Sequence, residues 1–253
     1  MANTRSHAFI PDCQIKAGVP NKHLTWLGKY IAERAPDVCI FAGDFWDMPS
    51  LSSWDKGKRA SENRRYKSDV EAGNVAMDMF NHEVKKRPKA WKKMRRVITL
   101  GNHEQRIERA TEDDAYLEGT LSYDDLNLAG MDVYPFLEVV NIDGIAYSHF
   151  FPRSANGSIT QSRRGAPSAR AQCIREGGSA SSGHQQGLDI TPVVLGSRLQ
   201  WGLIAGSFYM HDEHYLTPQG HNYWKGIVMK HDVHKGQYAP MLVDMAYFKR
   251  RFG

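Results

Sequence analysis

Val38-Cys39-Ile40-Phe41-Ala42-Gly43-Asp44-Phe45-Trp46-Asp47 and Val97-Ile98-Thr99-Leu100-Gly101-Asn102-His103-Glu104 follow one plan. In each, a short apolar run rich in β-branched residues stops at glycine and gives way to polar groups. Runs of this length and composition read as buried strands, so the polar groups fall where the strands end. Strand ends are where open α/β sheets hold their ligands. Asp12 comes soon after a third such run, His7-Ala8-Phe9-Ile10, and His149 and His184 lie further along. Five separate segments thus each bring a metal-type ligand, a pattern that points to a site for two ions.

Between these segments the chain alternates strand and helix signals. Residues 7–11 and 38–42 read as strands, 21–34 as an amphipathic helix, and 66–86 as a longer helix closed by Pro88. A strand over 97–100 leads into a helix that starts within 105–108. Val133 to Phe150 reads as a hairpin turning at Asn141-Ile142-Asp143-Gly144. Arg153 to Ala166 is a polar stretch too long for a plain connector. Residues 167–176 suit a short helix ended by Gly177-Gly178, and Lys225 to Met229 is the clearest late strand.

A chain of 253 residues, 41% hydrophobic, can bury a sizeable core, and one domain over 1–253 is expected, with a lid or substrate-binding insertion at about 153–182. Neither a leader-type apolar core nor a stretch of membrane-spanning length is visible, so a cytoplasmic protein with no membrane partner is expected. Cys13, Cys39 and Cys173 are odd in number and far apart, which argues against a disulfide framework or a zinc knuckle. The net charge of +5 is unevenly spread: Lys85 to Arg96 holds eight basic residues and no acidic one, and Glu108 to Asp125 holds seven acidic residues and one arginine. The basic run reads as a solvated helix end leading into the Val97 strand.

The ligand chemistry follows from which atoms the strand ends present. Asp12 and Gln14, two apart on an extended strand, would point to one side and grip one ion. Asp44 has two carboxylate oxygens and can bridge two ions. Asn102 offers an amide oxygen, and His149 and His184 offer imidazoles. His103, beside a ligand on a turn, is free to act on substrate. Two ions about 3.5–4 Å apart form a clamp for in-line displacement at phosphorus.

Taken in order, Asp12-Cys13-Gln14, Gly43 to Asp47, Gly101 to Glu104, His149 and Gly183 to Gln186 resemble the motifs of the calcineurin-like metallophosphoesterases, with the second and third matched in full. The resemblance spans roughly residues 7 to 230. It implies a four-layer αββα sandwich of two mixed sheets flanked by helices. Gly206-Ser207-Phe208-Tyr209 sits where such proteins place a late loop, and the chain size and the segment from Gly220 to Arg251 resemble the phage-encoded branch. Gln14 and Gln186 stand where relatives carry histidine. The resemblance puts both on one ion, whose oxygen ligands from Asp12, Gln14, Asp44 and Gln186 favour Mn²⁺ or Mg²⁺. Alternatively His211, His214 or His221 completes that ion.

The activity implied is hydrolysis of phosphate esters, phosphodiesters first, by a hydroxide bridging the two ions. His103 would protonate the leaving oxygen, Asp47 would orient His103, and Arg106 would clamp phosphate alongside Asn102. Three substrate readings stay open. One is DNA or RNA, favoured by the basic residues, by Arg153, Arg163, Arg164, Arg170 and Arg175, and by Trp46 and Trp54 as stacking surfaces. The second is a small phosphomonoester or nucleotide. The third is a nucleic-acid-binding module that has lost catalysis.

Overall fold

Strands that are apolar on both faces need cover on both sides, and β1 (Arg5–Ile10), β2 (Val38–Phe41) and β3 (Arg95–Thr99) have it. The computed structural model describes residues 5–53, 57–151, 168–213 and 223–253. Trp54, Arg153, Arg163, Arg164, Pro167, His214 and His221, and the first half of the expected insertion, lie outside the described residues. The three strands run parallel, as the connections through α1 (His23–Arg34) and α2 (Tyr66–Lys85) require. With β4 (Asp132–Tyr134), β10 (Gly226–His234) and β11 (Gln237–Asp244) they form a six-stranded mixed sheet in the order β11-β10-β1-β2-β3-β4.

A second mixed sheet of five strands contains β5 (Val140–Ile142), β6 (Ile145–Tyr147), β7 (Ala180–Ser182), β8 (Asp189–Leu195) and β9 (Arg198–Ile204), ordered β5-β6-β7-β9-β8. Side chains alternate between two cores. Ala8, Ile10, Cys39, Phe41 and Ile98 pack with α1, α2 and the C-terminal helix α3 (Met245–Phe252), whereas Phe9, Val38, Ile40, Val97 and Val228 meet Val140, Ile145, Tyr147 and Leu203 of the second sheet. The helix α4 (Ala169–Arg175) lies against β8 and β9. The molecule is therefore an α/β arrangement of two mixed sheets with helices. Among the described residues no helix is long and apolar enough to cross a membrane, and the three cysteines are buried and free.

Two expectations are corrected. The hairpin is only β5–β6, turning on Asp143 and Gly144, both at positive φ (+53° and +85°) as a two-residue primed turn requires. Val133 belongs to β4 and pairs with β3 in the other sheet, with Pro135 just past the strand end. β1 stops at Ile10 and Gln14 has φ +43°, so Asp12 and Gln14 do not sit on an extended strand.

Two histidines enter this core uncharged. His7, in β1, is fully buried, with Nδ1 2.7 Å from the Tyr147 hydroxyl and Nε2 2.8 Å from Asp143 Oδ2, and burial lowers its pKa to about 4. His23, at the start of α1, meets Phe208 edge-on at 5.5 Å, and burial lowers its pKa to about 3. An unfolded histidine takes a proton near pH 6.5. Below that pH the unfolded chain binds protons that the native state refuses. Stability present above pH 6.5 is therefore lost as pH falls towards 4, by about 3 kcal/mol from His7 alone. The double variant His7→Asn, His23→Phe is expected to show a flatter curve of Tm against pH between 7 and 4, and a slope equal to that of the parent chain would contradict this account.

Candidate metal centre

The carboxyl ends of β1, β2 and β3 and those of β6 and β7 open at one rim, so residues far apart in sequence arrive together. Asp44 follows β2 at φ +48°. Its Oδ1 accepts the backbone N–H of His103 at 2.9 Å, and its Oδ2 lies 3.4 Å from His149 Nε2 and 3.7 Å from His103 Nε2. His149 follows β6. Its Nδ1 is 2.6 Å from the Ala42 carbonyl oxygen and its Nε2 is 3.0 Å from Asn102 Oδ1. Ligand atoms of Asp44, His149 and His184 all lie within 4.8 Å of one another. Asp12 is fully buried; its Oδ1 accepts the backbone N–H of His184 at 2.8 Å, and its Oδ2 has no hydrogen-bond partner among the described residues.

This donor set suits divalent cations, on two observations. The Ala42 carbonyl can only accept, so His149 Nδ1 carries a proton, and a neutral ring turns its Nε2 lone pair towards two oxygens, Asn102 Oδ1 and Asp44 Oδ2. Either the ring is protonated or a cation stands among the three. A buried carboxylate oxygen without a donor, Asp12 Oδ2, likewise needs a proton or a cation. Protons compete with a cation for both roles. Burial raises the Asp12 carboxyl to about 7, with the neighbouring Asp44 charge adding to the rise. Burial opposes charging of His149, yet the Asp44 carboxylate raises it to about 9. Burial likewise opposes the charge on Asp44, but His103 and His149 beside it hold its carboxyl far below the usual range.

The backbone carries related strain. Gln14, Asp44, Met48, Leu137, His184 and Gln186 all have positive φ, and non-glycine residues in that region cluster at functional sites. Gly183 is needed for close approach, because a Cβ there would collide with Asp12 Oδ1.

His103 Nδ1 lies 2.7 Å from Asp47 Oδ1, an ion-pair contact. Burial opposes the charge on His103, but Asp44 and Asp47 raise its pKa. Asp47 is held near 2 against the cost of burial by its contact with His103, and its Oδ2 lies 3.4 Å from Lys16, whose ammonium also meets Glu213 at 2.7 Å. Arg106 opens the helix α5 (Arg106–Asp113 in sequence, between α2 and β4), and its Nη1 donates to the Asp47 and Met48 carbonyls at 2.7 and 3.2 Å. One edge of that guanidinium is therefore spent on the loop it packs against. Gln14 and Gln186 are buried at the same rim; the Gln14 N–H donates to the Asp44 carbonyl at 2.8 Å, and Gln186 Oε1 accepts the Tyr209 hydroxyl at 2.7 Å. His211 turns its Nε2 to Glu213. Trp46 is a correction: it is fully buried, donating to Asn74 Oδ1 at 3.2 Å, and offers no surface for stacking.

Sequence reasoning assigned no role to Glu104. Its buried carboxylate accepts four backbone N–H groups, those of Asp44 (2.9 Å), Phe45 (2.7 Å), Trp46 (3.0 Å) and Gly101 (2.8 Å). It thereby ties the loop after β2 to the loop after β3. A Cβ on Gly43, at φ +84°, would run into the Thr99 carbonyl and the Gly101 backbone, so the close approach needs glycine there. The basic run lies elsewhere. It enters β3 at its amino end, where Arg96 stacks on Trp91 at 3.7 Å and Lys93 meets Asp37 at 3.0 Å.

No protein-family model and no curated protein matches the chain. A crystal structure of another protein aligns over 96% of this chain and 99% of its own at 11% identity and a TM-score of 0.36, a likeness too slight to bear on fold or function.

Glu104→Gln keeps the shape but replaces one acceptor oxygen with an NH₂ that faces backbone donors. We expect a loss of about 3–5 kcal/mol in unfolding free energy, read from denaturant midpoints. A loss below about 1 kcal/mol would show that the four N–H groups do not depend on this carboxylate.

Proposed function

We propose that the protein is a metal-dependent phosphoesterase, with phosphodiesters as its first class of substrate, and that its two sheets and their helices form the four-layer αββα sandwich of the calcineurin-like enzymes. The supporting observation is the meeting of Asp12, Asp44, Asn102, His149 and His184, delivered by five segments, with Asn102 Oδ1 and Asp44 Oδ2 both facing His149 Nε2. Asp12, Asp44, Asn102, His149 and His184 would hold two divalent ions, with Gln14 and Gln186 adding amide oxygens beside Asp12. Oxygen-rich ligation favours Mn²⁺ or Mg²⁺. When bound, such ions supply an activated water and neutralise charge on the phosphate.

The chain's own groups supply the remaining steps. Asp47 on Nδ1 keeps His103 oriented and favours its charged form, so a proton at Nε2 is available to the leaving oxygen as the ester bond breaks. Arg106, braced on the carbonyls of Asp47 and Met48, presents its remaining donors to the phosphate. The Ala42 carbonyl fixes the His149 tautomer so that Nε2 faces the ions.

After chelation, hydrolysis of bis-p-nitrophenyl phosphate should return with Mn²⁺ or Mg²⁺, and activation by Zn²⁺ alone would contradict the oxygen-rich assignment. Asp44→Asn should fall to background. His103→Ala should lower kcat by about 10²- to 10⁴-fold while retaining the metal content of the parent chain by elemental analysis. Full turnover in either variant overturns the role given to that residue.

A further inference from the structure

A cavity of about 280 Å³ opens directly beside Asn102 and His103. One wall carries Arg106 and Arg109, and another carries Phe136, Leu137 and Phe150. The two arginines are three apart on one helix and so share a face, but their circumstances differ. Arg106 is braced on two backbone carbonyls. Arg109 makes one neutral hydrogen bond, from Nη2 to Ser53 Oγ at 2.9 Å, and among the described residues it forms no ion pair, although Glu112 and Asp113 lie within one turn of it. A guanidinium carries five N–H donors, and among the described residues Ser53 is the side chain that takes one from Arg109. Among those residues its charge faces the cavity rather than a carboxylate.

On the opposite side Phe150 stacks on His184 with ring centres 4.4 Å apart, and Phe136 meets Phe150 edge-on at 5.5 Å. Phe150 is buried, so Phe136 and Leu137, both half-buried, offer the apolar surface for a flat ring. The volume is close to the lower end of small-molecule pockets, about 300 Å³, and suits one nucleotide unit rather than paired strands.

We propose that this cavity takes a nucleotide bearing a phosphate in addition to the scissile one, with its base against Phe136 and Leu137 and the second phosphate on Arg109. The assignment rests on the phosphoesterase reading for the scissile group, and it makes Arg109 a specificity-determining residue.

The test uses thymidine 5′-(p-nitrophenyl phosphate) with and without a 3′-phosphate, assayed with Mn²⁺, beside titration calorimetry of thymidine 3′,5′-bisphosphate. The parent chain should prefer the 3′-phosphorylated ester about tenfold in KM, the scale of a charge-assisted bond. Arg109→Gln should erase that preference and weaken bisphosphate binding about tenfold, and Arg109→Lys should restore part of both. Absence of preference in the parent chain, or its persistence in Arg109→Gln, overturns the assignment. If no ester is cleaved, bis-p-nitrophenyl phosphate included, while the bisphosphate still binds through Arg109, the phosphoesterase reading fails and the ligand assignment survives. Hydrolysis without discrimination overturns the ligand assignment alone.

Discussion

The carboxylate of Glu104 receives the N–H groups of Asp44, Phe45, Trp46 and Gly101, and the rest of the site is built on that arrangement. Loops at strand ends have backbone groups that no sheet or helix satisfies. Here one buried charge satisfies four of them and binds two loops into a single unit. The Asp44 backbone must bend into the left-handed region to place its N–H there, and the same bend turns its Oδ2 towards His149. Positioning of the ligand and satisfaction of the backbone are thus two consequences of one interaction.

The site so formed is poorly satisfied by its own hydrogen bonds. Acceptors of Asp44 and Asn102 both face His149 Nε2 while its Nδ1 proton is committed to Ala42, and six residues around the rim have positive φ. Such a cluster persists only because its surroundings over-determine it. The two cores do this: Phe41, Phe45 and Phe80 lock edge-to-face at 5.3–5.4 Å behind the β2 loop, and the apolar contact between the sheets fixes β6 and β7 relative to β1 and β2. The price of the strained rim is therefore spread over packing far from the chemistry.

Much of this was legible in the sequence because its signals are local. Val38–Phe41 and Val97–Thr99 are continuous apolar runs, and the glycine and polar residues that follow them mark where ligands emerge. α1 and α2 carry helical spacing. What was not legible depends on contacts between distant segments. Glu104 sits in a conspicuous motif, yet nothing in its neighbours says that its partners are the N–H groups of 44–46. The pairing of Tyr209 with Gln186 and of Lys16 with Asp47 and Glu213 joins segments without periodicity or motif. Trp46 misled because aromatic character beside a ligand looks like a stacking surface, whereas Gly73 leaves room for the indole to be buried against α2. The Asp12–Gln14 geometry misled because strand alternation was extended four residues past Ile10, the end of β1.

Charge shows the same limit of composition as evidence. The net +5 suggests an anionic partner, but the densest basic segment lies at the amino end of β3 and the candidate ligands follow its carboxyl end, so the run and the site are a strand apart. Part of that run is internally spent: Arg96 and Lys85 lie over Trp91, and Lys93 pairs with Asp37. Fields of exposed charges are screened within about 10 Å at ordinary ionic strength, so a cluster at the far end of a strand contributes little at Asp44. Among the described residues Arg106 and Arg109 line the cavity beside the site and Lys16 meets Asp47 and Glu213. On the proposed phosphoesterase reading, the anion-binding groups that the described residues offer at this rim are therefore the two arginines of one helix, whatever the total charge of the chain.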